Sequence, residues 1–331
     1  MAKVLIIRFS SIGDIVLTTP VVRNLYQQMH GGAIIHYLTK ERFRTLLEPN
    51  PYLGKVIGIE KSTNEVIDSL RAEGYDYIID LHVNLRSLRV KRSLRLLAFA
   101  FRKLNLEKWL LVNFGINRMP DLHIVDRYME TLKPFSIEND LKGLDYFFPE
   151  GEDELPQSLP ESHQKGYVVL VVAAAHRRKK PRMEQYVEIC QKLNAPVALL
   201  GGPAEKEEGE KIALQGGVSV WNAAGEVSLH GSAALVRDSL LVITPDTGMM
   251  HIAAAFKKPI ISIWGATVPE FGMYPYLNEN LDVRVQADHL KKRPCSKLGN
   301  RCKYKDCRCI DELPLEKAIK TANSQIELLV R

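Results

Sequence analysis

Val4-Leu5-Ile6-Ile7-Arg8-Phe9-Ser10-Ser11-Ile12-Gly13-Asp14 is the stretch from which the fold can be read. Residues 4–9 form an apolar, β-branched run of strand length, and the Ser-Ser-Ile-Gly sequence after it is a turn. From 14 to 29, apolar side chains recur at helical spacing. A strand, a tight turn and a helix make the first half of a β-α-β unit, which implies a parallel sheet covered by helices. Working outward, the rhythm continues with apolar runs at 33–38, 55–59 and 75–81 and a helical pattern at 63–73. Between 150 and 165 it lapses into Gly, Pro, Ser, Gln and acidic residues, an interdomain linker. It restarts with strands at 167–174, 196–200, 218–221, 240–244 and 259–264, and the chain closes on a helical pattern at 314–330. Two successive doubly wound α/β domains are expected, over 1–160 (linker about 150–165) and 166–331. Ligands of such sheets sit outside the carboxyl ends of the strands.

Composition agrees. A length of 331 residues suits two domains, and 46% hydrophobic with 25% charged residues is the mix of a globular protein with a sizeable core. No apolar run approaches the roughly 20 residues of a membrane span, and the N-terminus lacks the pattern of a signal peptide. A cytoplasmic protein is expected. A net charge of +6 is too modest to imply a nucleic-acid partner. Its distribution says more: between 81 and 106 lie Arg86, Arg89, Lys91, Arg92, Arg95, Arg102 and Lys103, with no Asp or Glu. That stretch is either a surface for something anionic or a solvated helix face.

Four strand ends carry chemistry. Asp14 stands at a helix start, where it is either a capping residue or a general base. After the strand at 240–244, Asp246, Thr247 and Gly248 open a helix whose unsatisfied N–H groups favour a phosphate, with His251 one turn further on. After the strand at 167–174 comes His176-Arg177-Arg178-Lys179-Lys180, where a lysine could neutralise a departing diphosphate. After 196–200, Glu205 heads a helix; it could accept hydrogen bonds from a ribose diol or favour the helix dipole. Near the C-terminus Cys295, Cys302, Cys307 and Cys309 cluster, while Cys190 stands alone. The spacing lacks the paired Cys-x2-Cys of a zinc ribbon, which leaves a structural metal or four thiols packed in a loop.

The run Arg8 to Pro20 (RFSSIGDIVLTTP) resembles the opening signature of glycosyltransferase family 9, the lipopolysaccharide heptosyltransferases. The run Asp246 to Ala254 (DTGMMHIAA) resembles that family's second signature, and Gly201-Gly202-Pro203-Ala204-Glu205 its Gly-x-Pro-x-Glu turn. The resemblance runs essentially from end to end of the chain. It implies a GT-B fold, two Rossmann-like domains facing each other across a cleft, and an inverting, metal-independent transfer that needs no cofactor. The donor it implies is ADP-heptose, and the acceptor the anionic inner core of lipopolysaccharide, met at the inner face of the inner membrane. Asp14 matches the family's base. Lys179, Glu205, Asp246, Thr247, Gly248 and His251 match its donor-binding positions. Where the family often has Lys-x-Trp-Pro, this chain has Lys179-Lys180-Pro181-Arg182, so either lysine could fill the donor position. Ser10, Ser11 and Gly13 of the first turn fall to the acceptor side. With an anionic acceptor, Arg86, Arg89 and Arg92 become acceptor contacts, anchored to their domain by Leu85, Leu88, Leu96 and Leu97. Other readings are a transferase for a different nucleotide sugar, an epimerase of the same architecture, and a non-catalytic nucleotide-sugar-binding protein.

Overall fold

The computed structural model describes residues 1–278, 281–304 and 306–330. The chain divides into two compact units, one of Met1–Lys103 with Leu122–Gly151, the other of Leu104–Asp121 with Glu152–Arg331. The segment 104–121, placed in the first domain by the sequence reading, therefore belongs with the second. So does most of the expected linker: His163 is buried there, its ring Nε2 3.1 Å from the carbonyl oxygen of Val197.

The first half contains strands β1 (Ala2–Ile7), β2 (Ala33–Lys40), β3 (Lys55–Ile59), β4 (Tyr77–Asp80) and β5 (Leu97–Ala100). Its helices are α1 (Ile12–Val16), α2 (Thr19–Gln28), α3 (Ile67–Ala72), α4 (Leu85–Leu94), α5 (Asn105–Phe114) and α6 (Ile124–Met129). The five strands form a parallel sheet in the order β3-β2-β1-β4-β5. Its core is apolar on both faces, as a covered parallel sheet requires. The expected single helix at 14–29 is two. Pro20 has no N–H to continue the ladder, and the Thr19 hydroxyl donates to the carbonyl of Val16 at 2.8 Å instead. Chain 122–151 returns to this unit through buried Arg23, whose guanidinium donates to both oxygens of Asp140 at 2.8 Å.

The second unit holds β6 (Val168–Val171), β7 (Val197–Leu200), β8 (Val220–Asn222), β9 (Leu241–Pro245), β10 (Ile260–Trp264) and β11 (Asp282–Gln286). Around them pack α7 (Met183–Lys192), α8 (Lys206–Gly216), α9 (Leu229–Asp238), α10 (Gly248–Ala255), α11 (Arg308–Asp311) and α12 (Leu315–Val330). The sheet is parallel, ordered β11-β10-β9-β6-β7-β8. In both sheets the chain order reverses beside the first strand, between β1 and β4 and between β6 and β9. Two switch points result, each a crevice at the strands' carboxyl ends. No described helix is long and apolar enough to cross a membrane.

Candidate active site

At the first switch point the residues after β1 meet those after β4. Asp14 is the third residue of α1, so it is not the N-cap itself but the far half of a capping box: its carboxylate accepts from the N–H of the N-cap Ser11 at 3.0 Å and from the Ser11 hydroxyl at 2.8 Å. Its other oxygen lies 2.6 Å from Nη2 of Arg8. Burial alone would raise the Asp14 pKa, but Arg8 and the two Ser11 bonds outweigh it and hold the carboxyl below its ordinary 3.8. Arg8 was not singled out from sequence. Its guanidinium also donates to the Ser10 carbonyl at 2.8 Å and to the Tyr128 hydroxyl at 2.9 Å, and it bonds the Leu81 carbonyl. His82, at the end of β4, is pushed down to about 4 by burial and then by Arg8, so it is neutral near pH 7. Of the expected acceptor residues, Ser11 is thus committed to Asp14, Ser10 offers its carbonyl to Arg8, and Gly13 is buried within α1.

The basic stretch is helix α4 followed by an edge strand. Arg86, Arg89 and Arg92 are exposed, while Lys91 is drawn 2.8 Å from the buried carboxylate of Asp80. Leu85 and Leu97 are exposed and anchor nothing; the helix holds on through Ser87 and Val90, with Leu94 and Leu96 packed against the core. Lys40, at the end of β2, is depressed by burial and then by Arg42 and Arg86. These like charges crowd together at the carboxyl edge of the first sheet, and Lys40 and Arg42 carried no sequence signal beyond their charge.

At the second switch point the turn after β6 meets the loop after β9. Lys179 Nζ lies 2.6 Å from Oδ2 of Asp246, and Thr267 Oγ1 donates to the same oxygen at 2.9 Å. Gly299 lets the lysine stem pass, since a Cβ there would stand 2.7 Å from Lys179 Cγ. Lys180 points elsewhere, 2.8 Å from the Val172 carbonyl and 2.5 Å from Glu208. Geometry therefore separates the two lysines that sequence could not. Thr247 precedes Gly248 at the N-terminus of α10, where the first amides have no helical partner. His251 stands one turn in and is only 2% exposed, a side chain of the helix's buried face. Glu205 follows β7, and its carboxylate accepts the Gly202 N–H at 3.0 Å. Gly201 permits that turn, because a Cβ would sit 2.8 Å from Glu205 Cβ. Thr267 was missed; the Gly-Ala-Thr that follows β10 is another strand end and was the available clue.

All five cysteines are free thiols, Cys295 and Cys309 buried, Cys302 and Cys307 half-buried. Cys295 lies beside Cys309 and Cys302, and Cys302 beside Cys307. Among the described residues no group of three or more His, Cys, Asp or Glu is arranged to hold a metal ion.

Two doubly wound sheets, each with its polar cluster at the switch point, define a protein of the GT-B fold. A family model described as glycosyltransferase family 9 (heptosyltransferase) matches residues 64–305, and the chain belongs to that family; it is a glycosyltransferase. It is 26% identical over 290 residues to a lipopolysaccharide heptosyltransferase 1 of Campylobacter coli, covering 80% of this chain and 84% of that one. The glycosyl transferase family 9 structure from Veillonella parvula superposes with a TM-score of 0.77 at 21% identity, covering 99% of this chain and 97% of that one. The E. coli ADP-heptose lps heptosyltransferase II does so with a TM-score of 0.71 at 20% identity, covering 99% and 98%.

Proposed function

We propose that this enzyme transfers a heptose from ADP-heptose to the inner core of lipopolysaccharide, with inversion and without a metal ion. The observation that carries the reading is the Lys179–Asp246 pair at the N-terminus of α10. A diphosphate there meets a fixed ammonium and the unsatisfied first amides of a helix, the two groups that offset phosphate charge in place of a cation. Asp246 and Thr267 hold the lysine's end of that site in position. Thr247 and Gly248 bring the amides close, His251 backs the first turn from its buried face, and Glu205 accepts from the ribose diol. The family's relatives supply the sugar and the acceptor class: their names specify lipopolysaccharide heptosyltransferases, and one specifies ADP-heptose.

On the acceptor side, Asp14 takes the proton of the attacking hydroxyl while the bond from that oxygen to the anomeric carbon forms and the bond to the diphosphate breaks. A carboxylate held below 3.8 is a weak base. That suits a late transfer, because the hydroxyl becomes strongly acidic only as its new bond forms. Ser10, Ser11 and Gly13 shape the turn that presents Asp14, and Arg86, Arg89 and Arg92, with Lys40 and Arg42 behind them, draw the acceptor's phosphates and carboxylates. The test is turnover of ADP-heptose with a core-lipid acceptor. Asp14→Asn should cut kcat at least about a hundredfold and leave the Kd for ADP within a factor of about two. Near-normal turnover in that variant would mean that Asp14 only braces the turn.

A further inference from the structure

Helix α5 turns an apolar face to solvent. Leu106, Trp109 and Phe114 are 65, 52 and 63% exposed, Leu110 is half-buried between them, and exposed Ile116 follows the helix. Positions 106, 109, 110, 113 and 114 share one helical face. Asn113 does not interrupt it, because its amide is folded back onto the Trp109 carbonyl at 2.9 Å. The rings of Trp109 and Phe114 meet edge to face at 5.2 Å, so the aromatic pair is held together at the surface. The opposite face does the structural work: Leu111 and Val112 pack against Val268 and Phe271, and Lys108 lies over the Phe271 ring. The helix would stay seated without any of its outer side chains.

Beside this face runs a second one-signed stretch. Residues 290–304 hold Lys291, Lys292, Arg293, Lys297, Arg301 and Lys303, with no Asp or Glu. Lys297 donates to Asn105 at the start of α5 at 2.6 Å, and Lys303 bonds the Val112 carbonyl near its end, so the stretch lies along the helix. Arg293 is turned inward onto the carbonyls of Trp264, Gly265 and Thr267, whereas Lys291, Lys292 and Arg301 are exposed, as is Leu298. An exposed Leu-Trp-Phe face rimmed by lysine and arginine is the pattern of a helix that lies in the interface of an anionic bilayer. The rings and leucines enter the headgroup boundary, where Trp is favoured, and the cations meet acidic lipid phosphates.

We propose that α5 and the stretch 290–304 form a docking surface for an anionic lipid bilayer. The inference rests on this surface alone, and the assignments of donor, acceptor and base can fail without touching it. The test mixes the full-length protein with vesicles of phosphatidylethanolamine and phosphatidylglycerol, or of phosphatidylcholine alone, without donor or acceptor. The protein should co-sediment with the anionic vesicles, less so with phosphatidylcholine. Its tryptophan emission should shift to the blue on binding, and Trp109→Phe should abolish that shift, since Trp264 is already buried and half-buried Trp221 lies in β8, away from this face. The variant L106S/W109S/F114S should partition at least about tenfold more weakly, the factor that burying one large apolar side chain is worth. It should keep the wild-type Tm and the wild-type stabilisation by ADP. Reversing Lys291, Lys292 and Arg301 to Glu should weaken binding to anionic vesicles alone. Wild-type protein left in the supernatant, or a serine variant that pellets like wild type, overturns the proposal. So does a wild-type dimer that the serine variant dissociates, since the face would then belong to a second copy.

Discussion

Arg8 commits its guanidinium to four neighbours, Asp14, Tyr128 and the carbonyls of Ser10 and Leu81, which tie together the ends of β1 and β4 and helix α6. Removing it should therefore alter the charge state of Asp14 as well as its position. As a base Asp14 must be ionised, so its contribution is present above its pKa and lost as the pH falls through it. With that pKa held below 3.8, the acid limb of kcat/KM in the wild-type enzyme should not reach pH 5 on account of Asp14. In Arg8→Gln the opposing charge is gone and burial, which raises a carboxyl pKa, dominates. The acid limb should move up by at least about one pH unit, the usual effect of an adjacent opposite charge. An unmoved limb with a lowered plateau would mean that Arg8 only holds the turn together. Lys179 and Lys180 separate in the same way. Lys179→Ala should weaken ADP at least about tenfold, as loss of a charge-assisted contact to phosphate does. Lys180→Ala should instead lower stability by about 1–3 kcal/mol, by stranding the Val172 carbonyl and Glu208, and leave ADP binding nearly intact. The two lysines were indistinguishable in sequence because adjacent residues in a turn diverge by local backbone geometry, which apolar periodicity does not report.

Helix α4 is held by the Asn84 side chain, which accepts the Ser87 N–H at 2.9 Å, and by buried Val90, so its arginines are dispensable for folding. Changing Arg86, Arg89 and Arg92 together to Glu should leave Tm and ADP affinity unchanged and raise the acceptor KM. The wild-type acceptor KM should also climb with salt, because exposed charges are screened beyond about 8 Å at physiological ionic strength. A triple variant that uses acceptor as well as wild type does would reduce the patch to a solvated face. The same region shows where sequence patterning ran out. The central strands were legible as unbroken apolar runs, since both of their faces are covered. Strands β5 and β11 were not: each lies at a sheet edge, β5 is four residues long with both ends exposed, and β11 reads Asp-Val-Arg-Val-Gln. Edge position alone does not hide a strand, since β3 and β8 are edge strands too and were expected at 55–59 and 218–221; β5 escaped because it is short with exposed ends, and β11 because polar residues alternate with its two valines. Leu85 and Leu97 were misjudged for a related reason, because helical spacing names a face without saying which one is covered.

Across the whole molecule, several of the positions that sequence picked out fall at the two switch points: Asp14 at the first, Lys179, Asp246, Thr247 and Gly248 at the second, while Glu205 follows β7 and the arginines lie along α4. They were legible because strand ends are where a doubly wound sheet leaves backbone and polar groups uncovered. What was not legible is long-range in sequence: Tyr128 against Arg8, Thr267 against Asp246, and the passage of 104–121 to the second unit. Dividing the chemistry between two units makes a prediction about ligand-linked stability. If ADP binds the folded second unit as proposed, it should stabilise the protein by about 2.7 kcal/mol at a hundredfold excess over its Kd. For a domain of this size that corresponds to a rise in Tm of several degrees. On the proposed reading Lys179 and the α10 amides stand in for a cation, so the rise should be the same in excess chelator and with added magnesium. Turnover should be equally indifferent to chelator, provided circular dichroism confirms that the cysteine-bearing loop stays folded. Asp14→Asn, confined to the first unit, should keep the full ADP shift while losing turnover, and Lys179→Ala should lose the shift itself. Were the shift to need magnesium, the diphosphate charge would have to be met by a metal ion, and Lys179 would be a partner of Asp246 rather than of the donor.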